Sequence, residues 1–216
     1  AAGQQSLSRY FSEKKGDEER SDHLLELAEE ALCESLTLED RFETRISLAE
    51  VLISRDINLD EAEDHLLQAK TMIASTAIGD EAHIEMHLGE IAMKQDRDEE
   101  ALRHYLRVAE LTPDYVDTWA DLGIIYGKLN NLEEADASYR RAFAMQPDNI
   151  DLYFDLNLIY SEHGRGNEGI EILEEGLRAN PTSGMLNLYL VTAYIEKGDY
   201  RQAEISLEKA ERLGVD

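Results

Sequence analysis

The sequence has one cysteine (Cys33), three prolines and one tryptophan among its 216 residues. A single cysteine excludes an internal disulfide framework and a Cys-based zinc site. It also points to a reducing compartment, and Cys33 is expected to be a small core residue. So little proline, with only four phenylalanines, argues against the turn-rich, aromatic strands of a sandwich or barrel and leaves room for long helices. No apolar run approaches the ~18 residues of a membrane span. The polar stretch that begins at Ala1 does not resemble a signal peptide. A cytoplasmic location is therefore expected, and the missing initiator methionine suggests a piece of a longer or membrane-associated protein. Basic charge is scarce as well: 21 Lys and Arg face 47 Asp and Glu, for a net charge of -26. Such a surface repels phosphate backbones and anionic headgroups, so neither nucleic-acid binding nor membrane insertion is expected. It serves solubility or the steering of a basic partner.

Against these absences stands a hydrophobic content of 43% with a strong internal period. Pro113, Pro147 and Pro181 follow one another at intervals of 34 residues. Four further columns keep the same step: Leu88, Leu122, Leu156, Leu190; Ala92, Tyr126, Tyr160, Tyr194; Ala101, Ala135, Gly169, Ala203; and Tyr105, Tyr139, Leu173, Leu207. Within 116–149, Trp119, Leu122, Ile125 and Tyr126 recur at helical spacing, and 127–131 supply a turn. Ala135, Tyr139, Ala142 and Phe143 then mark a second amphipathic helix that Pro147 ends. Each repeat reads as a helical hairpin that buries its apolar face only by stacking on its neighbours.

Repeat 116–149, through Trp119, Leu122, Gly123, Tyr126, Ala135, Tyr139, Ala142 and Pro147, resembles the tetratricopeptide repeat family. The resemblance implies an all-α, right-handed superhelical solenoid of stacked antiparallel hairpins. The expected division is a degenerate or capping hairpin at 1–41, a divergent repeat with a longer loop at 42–81, and repeats at 82–115, 116–149, 150–183 and 184–216, all in one continuous solenoid. The first segment combines a short helix around 7–14 with a second over 23–36. Repeat 150–183 departs from the pattern at Asn157, Gly169 and Gly176, and Asn157 is expected to widen the local packing. The first helix of 184–216 is as apolar as an interior one, so its outer side is expected to meet a further element or a second copy, giving a homo-oligomer through that end.

Signatures of chemistry are weak. His83 and His87 stand four apart with Glu90 three further on, which would bring three metal ligands onto one helix face. The zinc-protease motif requires a glutamate directly after the first histidine, and Ile84 is there instead. Asp56, Asn58 and Asp60 alternate like the start of a calcium loop, but Glu61 replaces its obligatory glycine. These residues read as a turn in which Asn58 or Asp60 caps the following helix. The pairs Glu99 with Glu100 and Glu133 with Glu134 recur in phase at the starts of second helices, where the helix dipole favours acids. Gly164 and Gly166 follow no strand and precede no Lys-Ser/Thr, so they form no phosphate loop. No nucleophile signature is present. Neither catalysis, a metal nor a cofactor is expected.

The family resemblance further implies a concave groove lined by the first helix of each hairpin. Its expected lining is Glu43, Ile46, Glu50 and Ile53; His83, Met86, Glu90 and Met93; Asp117, Ala120, Ile124 and Gly127; Asp151, Phe154, Leu158 and Ser161; and Met185, Leu188, Thr192 and Ile195. The set forms an apolar floor with acidic rims, and its methionines adapt to varied surfaces. It suits a peptide or amphipathic helix with apolar anchors beside Lys or Arg. Ile124, Leu158 and Leu188 are alternatively packing between first helices. The expected function is a protein-protein interaction scaffold or adaptor. The alternatives are a recruiting or regulatory domain of a larger enzyme or of a secretion or assembly machine, and a self-assembling scaffold.

Overall fold

The computed structural model describes residues 2–73 and 77–215, with side chains from residue 20 onward. Among the described residues the chain is all-helical, with no strand. Its helices are α1 (Ala2–Leu38), α2 (Phe42–Ser54), α3 (Leu59–Met72), α4 (Ile78–Lys94), α5 (Asp98–Leu111), α6 (Val116–Lys128), α7 (Leu132–Met145), α8 (Ile150–Glu162), α9 (Gly166–Ala179), α10 (Gly184–Lys197) and α11 (Tyr200–Arg212). The chain divides into two compact units, 1–94 and 95–216.

The punctuation of these helices follows the repeat. α5, α7 and α9 each end two residues before Pro113, Pro147 and Pro181, because proline lacks the N–H a helix requires and disfavours helix at the residue before it. Inside the hairpins the tight turn falls on residues with left-handed backbone: Asp96 (φ 54°), Asn130 (φ 57°), Gly164 (φ 69°) and Gly198 (φ 80°), again 34 apart. Gly164 is thus a turn residue of the hairpin, at a position where Asn and Gly carry the least strain. The longer turn between α2 and α3 uses two such residues, Asp56 (φ 53°) and Asn58 (φ 48°). Asn58 precedes α3 but makes no capping bond to its backbone. Its amide donates instead to Glu61 at 3.4 Å. Acidic first turns in α5 (Asp98, Glu99, Glu100) and α7 (Glu133, Glu134) complement the positive ends of those helices.

In residues 1–94, α2 pairs with α3, α1 lies along α2, and α4 packs on α3 and α2. Leu48, Ala49, Leu52, Leu66, Ile84, Leu88 and Ile91 form the core. α1 is one continuous helix rather than the expected capping hairpin. Gly16 is the only glycine near its middle, and a lone glycine costs about 1 kcal/mol without breaking a helix. Arg55 ties α1 down through Asp22 (3.2 Å), Glu26 (3.2 Å) and Glu29. Cys33 is exposed on α1 rather than in the core. That stretch of α1 packs through Leu32 and Leu36 and turns the thiol outward. Partial burial and the carboxylates of Glu29 and Glu61 raise its pKa, which disfavours the reactive thiolate.

In residues 95–216, the hairpins α6–α7, α8–α9 and α10–α11 stack so that α6, α8 and α10 lie side by side. Their core runs through Tyr139, Phe143, Tyr153, Leu156, Leu173, Leu186 and Leu190, with Phe143 and Tyr153 stacked at 4.2 Å. The proline turns are fastened to the helix that follows. Trp119 Nε1 donates to the Pro113 carbonyl (2.9 Å), and Tyr153 Oη donates to the Pro147 carbonyl (3.2 Å). Asn157 is buried opposite Gly169: a Cβ on Gly169 would lie 2.7 Å from Asn157 Oδ1. At the end of the stack, Leu207 is 42% exposed where its counterparts Tyr105, Tyr139 and Leu173 are at most 4% exposed.

A candidate docking face on the first helices

Every first helix must present one stripe to its own hairpin partner and another to the adjacent first helices, which leaves a third stripe over for solvent or a ligand. In residues 95–216 that third stripe carries the residues singled out from the sequence. Asp117, Asp151, Leu158 and Met185 are exposed, whereas Ala120, Ile124, Phe154 and Leu188 are half-buried. Phe154 on α8 meets Tyr189 on α10, with ring centroids 4.3 Å apart and planes at 31°. Ile124 packs partly against the core, as an interhelix contact would, but Leu158 is 44% exposed and is not consumed by packing. Gly127 is buried, with the Ile159 side chain 3.0 Å from where its Cβ would stand, so it seats a neighbour and presents nothing outward.

Beside Leu158 the face opens into a hollow of about 420 Å³ bounded by Ile124, Gly127, Lys128, Tyr139, Asp155, Leu158, Ile159, Glu162 and His163. Two of its polar groups have no protein partner among the described residues. Tyr139 Oη is buried and has no hydrogen-bond partner among the described residues. Its pKa is pushed upward by burial and then by Asp155 and Asp121. Asp155 makes no ion pair among the described residues, and burial followed by the charge of Asp151 raises its pKa. A buried hydroxyl and a half-buried carboxylate left in this state favour any ligand that brings a donor or a cation. Burial, the Asp151 and Asp155 charges and a hydrogen bond to Asp151 raise the Tyr189 pKa in turn, so its phenol stays a donor. Neither Asp155 nor Tyr139 was among the expected lining. Both lie outside the positions that the family resemblance assigns, and Tyr139 reads from its column as plain core.

In residues 1–94 the expected lining fares differently. Ile46 and Ile53 are buried in the core rather than lining a face, because α2 is covered on several sides by α1, α3 and α4. Met86, Glu90 and Met93 are half-buried on α4, and His83 and Glu43 are exposed. The histidines do not converge with Glu90 as the sequence suggests. Glu90 Oε2 lies 3.3 Å from His87 Nδ1, on the far side of the ring from His83. The carboxylate that meets both histidines is Glu50 of α2, 3.1 Å from His83 Nε2 and 3.4 Å from His87 Nε2. No helix among the described residues is long and apolar enough to cross a membrane.

Family profiles described as tetratricopeptide repeat match residues 80–148 and 190–213. No curated protein matches the chain. Among solved structures, MamA is similar over 80% of this chain and 91% of its own, at 18% identity and a TM-score of 0.61. BtubC (BKLC) from P. vanneervenii is similar over 90% of both chains, at 15% identity and a TM-score of 0.66. YrrB, described as a TPR protein with an unusual peptide-binding site, is similar over 86% of this chain and 93% of its own, at 17% identity and a TM-score of 0.59. At these identities the likeness is one of fold.

Proposed function

The chain is a tetratricopeptide repeat protein, and from that premise we propose that it is a non-catalytic scaffold whose α6–α8–α10 face docks a segment of another protein. The observation that carries the reading is the hollow beside Leu158, where an apolar floor adjoins a buried hydroxyl and a half-buried Asp155 that have no protein partner among the described residues. A matching segment places an apolar side chain against Leu158 and Ile124 and a Lys or Arg beside Asp155. Asp151 and Asp117 add acidic rims, and the Phe154–Tyr189 pair offers an aromatic shelf along the same face. The net charge of -26 would draw such a basic segment in and make its association rate fall with added salt. The peptide-binding description of YrrB, a relative in fold alone, is consistent with this use of the architecture. The exposed apolar outer side of α11, marked by Leu207, supports self-association as a second use of the chain.

Selection of binders from a random peptide library against the full chain tests the proposal. Selected peptides are expected to pair an apolar residue with Lys or Arg within a few positions. Phe154→Glu, with an unchanged circular dichroism spectrum, is expected to abolish their binding. Binders that lack basic residues, or that hold Phe154→Glu and Leu158→Asp as tightly as the parent, would place the docking surface elsewhere.

A further inference from the structure

Residues 1–94 carry a second convergence of polar side chains, built by a different pair of helices. His83 and His87 are one turn apart on α4 and so share a face, while Glu50 reaches them from α2. The three candidate ligand atoms form a closed triangle: His83 Nε2 to His87 Nε2 is 3.0 Å, His83 Nε2 to Glu50 Oε1 is 3.1 Å, and His87 Nε2 to Glu50 Oε1 is 3.4 Å. We propose that this triad is a binding site for a zinc-class divalent transition-metal ion, with Glu90 orienting His87 from behind.

The size of the triangle is the first argument. Zinc takes imidazole nitrogen and carboxylate oxygen at about 2.0–2.1 Å in tetrahedral geometry, which separates neighbouring ligand atoms by roughly 3.3 Å. The three observed edges are close to that length on every side, so an ion fits above the triangle without rearrangement of the helices.

Proton placement is the second. His87 Nδ1 lies 3.3 Å from Glu90 Oε2, and a carboxylate can only accept, so Nδ1 carries the proton. Nε2 is then the ring nitrogen left to face the carboxylate of Glu50 and a bound metal ion. A cation bound between His87 Nε2 and Glu50 Oε1, which lie 3.4 Å apart, would be held by both atoms. A carboxylate fixing the far nitrogen of a ligating imidazole is also how protein metal sites commonly hold their histidines.

Donor chemistry selects the metal class. Two imidazoles with one carboxylate suit zinc and its first-row neighbours, whereas calcium and magnesium require an all-oxygen shell. The His87 side chain is 13% exposed and that of His83 is 43% exposed, so the site is anchored on one side and open on the other. The open side leaves a fourth position for water, as in three-ligand zinc sites.

Titration of the untagged, chelator-stripped chain with zinc chloride, followed by calorimetry, tests the site. The expected result is one Zn²⁺ per chain, with binding lost in His83→Ala and in His87→Ala. Glu90→Gln should bind about 10–100-fold more weakly, the usual effect of removing an outer carboxylate. His104→Ala, outside the site, should bind as the parent does. Co²⁺ in place of zinc should give the intense visible absorption of a four-coordinate ion, and a large excess of Ca²⁺ should not displace it. No zinc binding by the parent chain would overturn the proposal. So would binding that survives both histidine substitutions, since circular dichroism on each variant separates ligand loss from unfolding.

Discussion

Asp155 shows how a single residue can carry a functional argument. Burial and the Asp151 charge raise its pKa, so the folded protein binds that proton more tightly than the unfolded chain does. The sign follows from linkage: this group adds stability below its unfolded pKa and withdraws it as pH rises through the folded value. At neutral pH the ionised carboxylate therefore destabilises the fold slightly. Asp155→Asn is expected to raise the melting temperature at pH 7, with the gain over the parent shrinking as pH falls toward 4. Equal gains at both pH values would mean that ionisation of Asp155 is not the cause, and a loss at pH 7 that its carboxylate is already paired. Tyr139 is the companion case. Its column marks it as core, and its ring is core, but its buried hydroxyl lacks a partner among the described residues. No periodicity of apolar residues reveals an unsatisfied oxygen.

Between paired helices, spacing matters more than identity. Gly123 in α6 admits the Tyr139 ring of α7, and a Cβ there would strike it. One repeat later the corresponding position is Asn157, and the space it needs is found across the hairpin at Gly169. The sequence shows both departures but not that they compensate, because only the geometry sets Asn157 Oδ1 2.7 Å from the added Cβ. Gly169→Ala should therefore destabilise the chain by about 1–2 kcal/mol, the strain of overpacking exceeding the ~1 kcal/mol gained in helix propensity. Asn157→Gly in the same background should recover most of that loss in a denaturant titration. Additive effects of the two changes would show that the residues do not share the space.

Across the whole chain, the hairpins were legible because their signals repeat. Three prolines, the small residues and the left-handed turn positions return every 34 residues, and each has a local physical cause that needs no tertiary information. Features that depend on one helix meeting another were not legible. α1 carries no strong breaker, and the sequence suggested two helices where there is one. Glu50 precedes His83 by 33 residues across a connection longer than the standard loop, so helix-face arithmetic pointed to Glu90 instead. Ile46 and Ile53 hold repeat positions assigned to a groove, yet they fall inside the core because α1, α3 and α4 surround α2.

The central claim is that Asp155 and its neighbours recognise a basic, apolar segment, and a charge exchange tests it most directly. Fluorescence anisotropy would compare a selected Lys-bearing peptide and its Lys→Glu counterpart on the parent chain and on Asp155→Arg. A charge-assisted contact of ~1.5–3 kcal/mol predicts that Asp155→Arg weakens the Lys peptide at least about tenfold and strengthens the Glu peptide. If both peptides bind the two proteins alike, Asp155 does not face the ligand and the proposed docking site is wrong.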